Sequence, residues 1–252
     1  MTSEKRKGFL SEIIENILSP YEASTVYEED IVGEFENQVE LEFFERFVRI
    51  VGGDAIILDL ACGDGRHTLR LSQGQKHVLA FDMSPNMLKM AKMKCSQVSN
   101  VSFIKGSMFC LPFRTNAFDG IWFSQAFEYV PPERREGLLS NLRGLLEEKG
   151  IIYMSAETWM LPSLWNSLKE LFGDLKLYFH WRFEKGKPLL WGEFLYQLTG
   201  EVRDRWKGWH YHVHIDTWML SKLLRDVGLE KLKEVVDSGY IYILCTRRKL
   251  NV

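Results

Sequence analysis

The stretch AIILDLACGDG, residues 55–65, decides the fold, because a short apolar run ends there in a turn with two glycines. Such a run is typical of a buried β-strand. Gly63 and Gly65 allow the backbone to turn tightly and to approach a ligand closely. In an open α/β sheet, ligands bind beyond the carboxyl ends of the strands. The stretch therefore predicts a first strand with a ligand-binding turn at its end, although a glycine turn alone is a weak signal.

Strand and helix signals alternate after this turn. Apolar strand patterns recur at residues 77–81, 101–105, 120–124 and 151–155. Ser84-Pro85 supplies a helix cap followed by proline at the first helical position. Pro131-Pro132 opens a long helix that the pattern closes at Lys149-Gly150. This alternation predicts a mainly parallel sheet with helices on both faces.

The C-terminal pattern adds two strands of a different kind. Asp216 is placed to cap a helix through Leu224, and residues 229–236 and 240–246 read as strands. Only three residues separate these strands, which is too short for a crossover helix. We therefore expect an antiparallel hairpin at the end of a seven-stranded, otherwise parallel sheet.

Changes in sequence texture divide the chain into four segments. We expect an N-terminal helical flap at residues 1–53, a core at 54–156, an inserted aromatic-rich helical cap at 157–215, and a helix and hairpin at 216–252 that complete the core. The cap is expected to be either a substrate-binding region or the ordinary packing of an inserted lobe.

Composition excludes several classes of protein. The formal net charge of −2 gives no overall attraction to nucleic acid, and DNA is not expected as a partner. The four cysteines include no Cys-x-x-Cys pair, which argues against a zinc ribbon and fits a reducing cytoplasm. No apolar stretch is long enough to span a bilayer, so no membrane insertion is expected.

Asp82 makes the glycine turn more informative. It ends the second strand, 23 residues after Asp59. An acid at this place can accept both ribose hydroxyls of an adenosine. The alternative is a helix-capping aspartate, but Ser84-Pro85 already fills that role.

These features resemble the class I S-adenosylmethionine methyltransferases, with motifs at residues 59–65, 106–113, 118–121, 124–127 and 145–150. The resemblance implies a Rossmann-like fold and S-adenosylmethionine as the cofactor, with S-adenosylhomocysteine as the product. Ala61 stands where the family usually has glycine, and Ser107 where many members have aspartate. The segment from Pro20-Tyr21 to Tyr27-Glu28 resembles the family's N-terminal flap. The implied cofactor contacts are Tyr21, Tyr27, Asp59, Ala61, Gly63, Gly65, Asp82, Met83, Met87, Ser107, Met108, Ser124, Gln125 and Ala126.

The methyl acceptor is less well defined. Glu128 and His212 are candidate bases, and Tyr129, His210 and His212 are candidate substrate contacts. An extended segment would place His210, His212 and His214 on one face, which fits a lid over the acceptor or a structural strand. No acidic partner is apparent beside these histidines in the sequence, and no metal site is expected. Glu128 could equally be a solvated loop carboxylate.

Several functions remain open. A small-molecule acceptor is favoured. RNA is the alternative, because segments such as 111–114 and 210–213 resemble the tRNA wobble-uridine carboxymethyl methyltransferases, and basic residues cluster at Arg203, Arg205 and Lys207. An NAD-dependent dehydrogenase would need a third glycine where Thr68 stands. A non-catalytic S-adenosylmethionine-binding protein is the last alternative.

Overall fold

A computed structural model describes residues 3–23, 37–160, 164–197 and 209–247. Nine strands form one seven-stranded sheet in the order β3-β2-β1-β4-β5-β9-β8 and one two-stranded sheet, β6-β7. The strands are β1 (Ile56–Leu60), β2 (His77–Asp82), β3 (Val101–Lys105), β4 (Phe118–Phe123), β5 (Leu146–Glu157), β6 (Glu193–Gln197), β7 (Trp209–Val213), β8 (Leu229–Asp237) and β9 (Tyr240–Arg247). In the large sheet only β9 runs antiparallel to its neighbours β5 and β8. The predicted mainly parallel sheet with a C-terminal hairpin is confirmed.

Seven α-helices connect or precede these strands in the described residues. They are α1 (Ser3–Ala23), α2 (Gln38–Val51), α3 (Arg66–Ser72), α4 (Pro85–Lys94), α5 (Pro132–Leu145), α6 (Leu164–Phe179) and α7 (Thr217–Asp226). A 3₁₀ turn covers Phe127–Tyr129 and a π-helical turn covers His180–Glu184. Short polar side chains before a helix can accept hydrogen bonds from its first backbone amides. Three helices of the described residues begin with such a cap: Asn37 for α2, Ser84 for α4 and Asp216 for α7. None of the helices in the described ranges is long and apolar enough to cross a membrane.

Two apolar layers sandwich the large sheet, because successive residues of a strand point to opposite faces. In β4, Ile121 and Phe123 pack against the leucines of α5, whereas Trp122 packs on the other face against α2. The Trp122 ring stacks on Tyr153 of β5 at a centroid distance of 3.7 Å. The sheet is therefore buried on both faces, and its loops at the carboxyl edge are held by a rigid support.

The inserted cap differs from the helical cap that the sequence predicted. It contains α6, the π-helical turn and the antiparallel pair β6-β7. Its apolar cluster includes Leu195 and Tyr211 together with Phe9 and Ile13 of α1. Glu193, Phe194 and Leu195 are all buried, so β6 shows no alternation of apolar and polar residues. That is why the sequence did not reveal this strand.

The boundary between α5 and β5 also differs from the prediction. The helix ends at Leu145, and β5 begins at Leu146 rather than after Gly150. Arg247 donates to the Leu146 carbonyl at 2.8 Å, and the Thr246 hydroxyl donates to the Gly150 carbonyl at 2.8 Å. Side chains of the last strand thus hold this segment in an extended conformation.

Replacing Gly65 by alanine is expected to destabilise the core strongly. Gly65 has φ +82°, and an added Cβ would lie 2.7 Å from the Cβ of Ala91 in α4. Gly74 also has a positive φ, of +89°, but its added Cβ would meet nothing within 4 Å. Gly65→Ala should therefore lower the free energy of unfolding by about 2 kcal/mol more than Gly74→Ala does. Urea unfolding of both variants measures this, and equal losses would contradict the close helix contact.

Candidate functional site

The turn after β1 is left-handed at three positions. Ala61, Gly63 and Gly65 have φ values of +56°, +53° and +82°. The Gly65 amide donates to the Cys62 carbonyl at 3.0 Å, which closes the turn. A Cβ added at Gly63 would meet no atom within 4 Å, so this side of the turn is open. The backbone here forms a cradle that a ligand can approach closely.

Asp82 ties this turn to the next one. One carboxylate oxygen accepts from the Gly63 amide at 2.9 Å, and the other accepts from the Ser84 amide at 2.8 Å. The Ser84 hydroxyl accepts from the Met87 amide at 3.2 Å, so Ser84 is the cap of α4, as predicted. Asp82 therefore fixes the geometry between the ends of β1 and β2, where an adenosine ribose was expected. Met83 lies between these residues.

Asp59 lies beneath the turn rather than at its surface. Its side chain is buried and accepts a hydrogen bond from the Thr68 hydroxyl at the start of α3. Burial raises the pKa of Asp59 to about 7, and the nearby Asp82 carboxylate adds to the rise. Asp59 joins the strand to the helix that follows the turn.

The turn after β3 borders the same site. The Gly106 amide donates to the Asp82 carbonyl at 2.9 Å, which brings the two turns together. The Ser107 hydroxyl accepts from the Phe109 amide at 3.3 Å, so in this structure it stabilises its own loop. Met108 packs into the core beside Phe81. These residues border the place where the adenine is expected.

The loop after β4 is fixed by two hydroxyl groups. The Ser124 hydroxyl donates to Glu40 of α2, and the Gln125 amide donates to the Ser155 hydroxyl at 2.8 Å. Gln125 adopts a left-handed φ of +47°, and Ala126 is buried. Because β4 lies next to β1 in the sheet, this loop stands beside the glycine turn.

Glu40 is a buried carboxylate that the sequence analysis missed. It accepts from the Tyr153 hydroxyl at 3.0 Å, and a guanidinium nitrogen of Arg66 lies 3.5 Å away. Burial alone would raise the pKa of Glu40, but hydrogen bonds from His67 and Ser124 and the charge of Arg66 lower it to about 2. This carboxylate joins α2, the start of α3 and the loop after β4 into one unit. No local motif marks it, because its partners are distant in sequence.

A second polar cluster lies at the end of β5, beneath the cap. Nδ1 of His212 lies 2.6 Å from a carboxylate oxygen of Glu157, and its Nε2 lies 3.2 Å from Nδ1 of His210. The Tyr129 ring contacts both histidines, with centroid distances of 5.3 and 5.1 Å. Burial, followed by the charge of His212, lowers the pKa of His210 to about 3. The candidate acceptor residues Tyr129, His210 and His212 thus lie together.

His214 extends this cluster to α6. Its Nε2 lies 3.3 Å from Glu157, and its Nδ1 lies 2.8 Å from Asp174. Burial lowers the pKa of His214, but the two carboxylates outweigh it and raise the value to about 9. The expectation that the histidines lack acidic partners was therefore wrong. Within the described ranges, the acidic and histidine side chains still form no group that could hold a metal ion.

Glu128 is not a solvated loop carboxylate. It is 3% exposed, and its Oε2 has no hydrogen-bond partner among the described residues. Burial raises the pKa of Glu128 well above its usual range, and the negative charge of Glu157 raises it further. Removal of this side chain from water favours the neutral carboxyl over the carboxylate, relative to an exposed glutamate.

The structure brings together most of the predicted residues that it describes. The implied cofactor contacts from Asp59 to Ala126 surround the ends of β1, β2, β3 and β4, and the acceptor candidates lie at the ends of β4 and β5 under β7. The side chain of Tyr21 and all of Tyr27 lie outside the described residues.

Comparison with known proteins agrees with this geometry. Residues 57–150 match a family described as "Methyltransferase domain". Over these residues the chain is similar to a methyltransferase domain. The demethylmenaquinone methyltransferase of Clavibacter sepedonicus is 28% identical over 158 residues, which are 63% of this chain and 62% of that protein. The chain spans 41% to 62% of the length of the first three curated relatives that it matches.

Solved structures confirm the Rossmann-like methyltransferase fold. The complex of DhpI with SAH has a TM-score of 0.67 at 20% identity and covers 94% of this chain and 97% of that one. The 1,6-didemethyltoxoflavin-N1-methyltransferase of Burkholderia thailandensis, with 1,6-didemethyltoxoflavin and S-adenosylhomocysteine bound, has a TM-score of 0.61 at 15% identity. It covers 98% of this chain and 90% of that one.

Replacing Glu40 by glutamine should lower the free energy of unfolding by about 2 kcal/mol near neutral pH, because Tyr153, Ser124 and Arg66 lose a buried charged partner. The folded-state pKa lies below the ordinary value of 4.5, so this stabilisation is present above about pH 4.5 and is lost as the pH falls towards 2. Unfolding of wild type and Glu40→Gln across this range measures it. Glu45→Gln, an exposed change on the same helix, is the control. If the difference in unfolding free energy between wild type and Glu40→Gln is the same at every pH, Glu40 is not a buried, ionised carboxylate.

Proposed function

We propose that this chain is an S-adenosylmethionine-dependent methyltransferase that acts on a small molecule. The observation that supports this proposal most strongly is the open turn at Gly63, which Asp82 holds against the end of β2. This arrangement fits an adenosine, because the backbone can approach it and a carboxylate stands at the place of the ribose. The methyltransferase domain and the fold support the same choice over a dehydrogenase.

The cofactor would lie along the carboxyl edge of the sheet from β3 to β4. In the proposed arrangement, Asp82 and Met83 face the ribose, Ser107 and Met108 face the adenine, and Ser124 to Ala126 face the methionine part. Ala61, Gly63 and Gly65 shape the turn, and Asp59 supports it from beneath through Thr68. Met87 stays a proposed cofactor contact. Tyr21 and Tyr27 stay expected contacts of the N-terminal flap.

The acceptor would lie between the end of β5 and the cap strand β7. When bound, S-adenosylmethionine supplies a methyl group that its sulfonium makes electrophilic. Because the Glu157 carboxylate can only accept, Nδ1 of His212 carries a proton. Nε2 of His212 lies 3.2 Å from Nδ1 of His210, so an acceptor would have to take the place of this contact before Nε2 can serve as the base. We propose that His212 takes a proton from the acceptor while Glu157 orients the ring. Tyr129 and His210 would form the wall of this pocket.

Glu128 is proposed to act as a neutral acid. A buried, protonated carboxyl can donate a hydrogen bond to the acceptor but does not add a second negative charge beside Glu157. The described residues of the cap, 157–160, 164–197 and 209–215, would cover the acceptor, with α1 packed against them.

We favour a small molecule over RNA as the acceptor. The two named relatives with assigned acceptors act on a demethylmenaquinone and a didemethyltoxoflavin according to their names. Arg203, Arg205 and Lys207, the basic residues considered for RNA, lie outside the described residues. A second basic cluster comprises Arg182, Lys185 and Lys187, and its Lys187 pairs with Glu12. All four cysteines are free thiols, and we propose that the protein works in the reducing cytoplasm.

Asp82→Ala should weaken binding of S-adenosylhomocysteine at least tenfold, the loss of about 1.4 kcal/mol or more expected for charge-assisted hydrogen bonds. Titration calorimetry with S-adenosylhomocysteine and NAD side by side measures this. Asp226→Ala, an exposed change on α7, should leave the affinity unchanged. Binding heat from NAD but not from S-adenosylhomocysteine would contradict the proposed function. Equal affinities of wild type and Asp82→Ala for S-adenosylhomocysteine would show that Asp82 does not contribute to cofactor binding.

His212→Gln should lower kcat about 100-fold or more, because it removes the proposed base but keeps a polar side chain. S-adenosylhomocysteine affinity should not change. The assay is transfer of a tritiated methyl group into a small-molecule extract, with total tRNA as a parallel substrate. His77→Gln, on β2 and bonded to Ser102, is the matched control. Label that enters only tRNA would contradict the small-molecule acceptor, and an unchanged rate would refute the role of His212.

A further inference from the structure

One face of α6 and the following π-helical turn is apolar and exposed. Trp165, Phe172, Phe179 and Phe183 are between 54% and 79% exposed, although large aromatic side chains are normally buried. Phe179 and Phe183 stack with a centroid distance of 5.4 Å. We name this row, together with Lys169 and Lys176, the aromatic–lysine stripe.

The spacing of the stripe places its members on one line along the helix. The first three aromatic residues are seven residues apart, and each lysine follows an aromatic residue by four. Residues at these separations lie on the same face of a helix. The six positions hold four aromatic residues, two lysines and no acid.

The opposite face of α6 is already packed. Asp174 is buried and accepts from the Tyr196 hydroxyl at 2.9 Å, while Tyr178 and Trp181 pack against the cap cluster. Glu184, the acid nearest to the end of the stripe, lies 2.7 Å from His180. The helix is therefore held in place by its inner face, and the stripe is presented outward.

We propose that the aromatic–lysine stripe is a docking surface for an anionic phospholipid membrane. Aromatic rings prefer the boundary between headgroups and acyl chains, and lysines beside them can reach the phosphates. An amphipathic helix with aromatic residues on one side and lysines at its border lies in the plane of such a surface. The protein would bind the surface peripherally and reversibly.

Two other occupants fit less well. A second copy paired about a two-fold axis would present the same stripe, which has no acid to pair with the four lysines of the two copies. Single-stranded RNA stacks on aromatic rings, but it follows a positively charged groove, and the stripe is a ridge with two cations.

Vesicle sedimentation tests the proposal with the full chain. Wild type should bind vesicles of phosphatidylcholine and phosphatidylglycerol at least about tenfold more tightly than vesicles of phosphatidylcholine alone, and salt should weaken the binding. Phe172→Ser/Phe179→Ser and Lys169→Glu/Lys176→Glu should each weaken binding at least about tenfold. Their Tm should stay close to that of the wild type, because these side chains are exposed.

Two controls match these variants. Trp218→Ser removes an aromatic residue that is 70% exposed on α7, and Lys89→Glu/Lys92→Glu changes the net charge by the same amount on α4. Both should bind like the wild type. The proposal is overturned if wild type binds neither kind of vesicle or if the controls lose as much binding as the stripe variants. It is also overturned if the stripe variants still bind vesicles like the wild type. In that case, conversion of a dimer to a monomer by these variants would identify a second copy as the occupant, and loss of polyuridylate binding would identify RNA.

Discussion

The carboxylate of Asp82 is the interaction on which the site depends. It accepts from backbone amides on both sides, at Gly63 and at Ser84, and so sets the distance between the turn after β1 and the start of α4. Each turn alone is a common feature of α/β proteins. Held together by one charged group, they form a cradle of fixed shape beside the point between β1 and β4 where strand order reverses. The proposed cofactor would then bind a site that needs little reorganisation, which favours affinity.

Glu40 supports the loop after β4 as Asp82 supports the turn after β1. It is buried, ionised and bonded to Tyr153 and Ser124, so it holds the loop after β4 against α2. Removing one partner of such a group leaves a charge without compensation, which makes the arrangement intolerant of change. The two carboxylates together fix the loops between which a methyl group would pass. The cap adds the third part, because its histidines contact Glu157 at the end of β5.

Local motifs made the large sheet and the cofactor side predictable. The glycine turn, Asp82, the cap at Ser84 and the short link between β8 and β9 each depend on a few consecutive residues. The sequence did not predict contacts between distant residues: Glu40 meets Tyr153 across 113 positions, and His212 meets Glu157 across 55. Strand β6 was missed because it is buried on both faces. For Glu128 the sequence left a solvated loop carboxylate open, because only the folded cap removes this side chain from water.

In the proposed site the cofactor lies beside the ends of β1 and β2. The acceptor lies between the end of β5 and the cap. A crystal structure of the chain grown with S-adenosylhomocysteine tests this most directly. We expect the ribose within hydrogen-bond distance of Asp82 and the sulfur directed past Ala126 towards His212. A ligand that binds away from the glycine turn, or a sulfur directed away from the cap histidines, would contradict it.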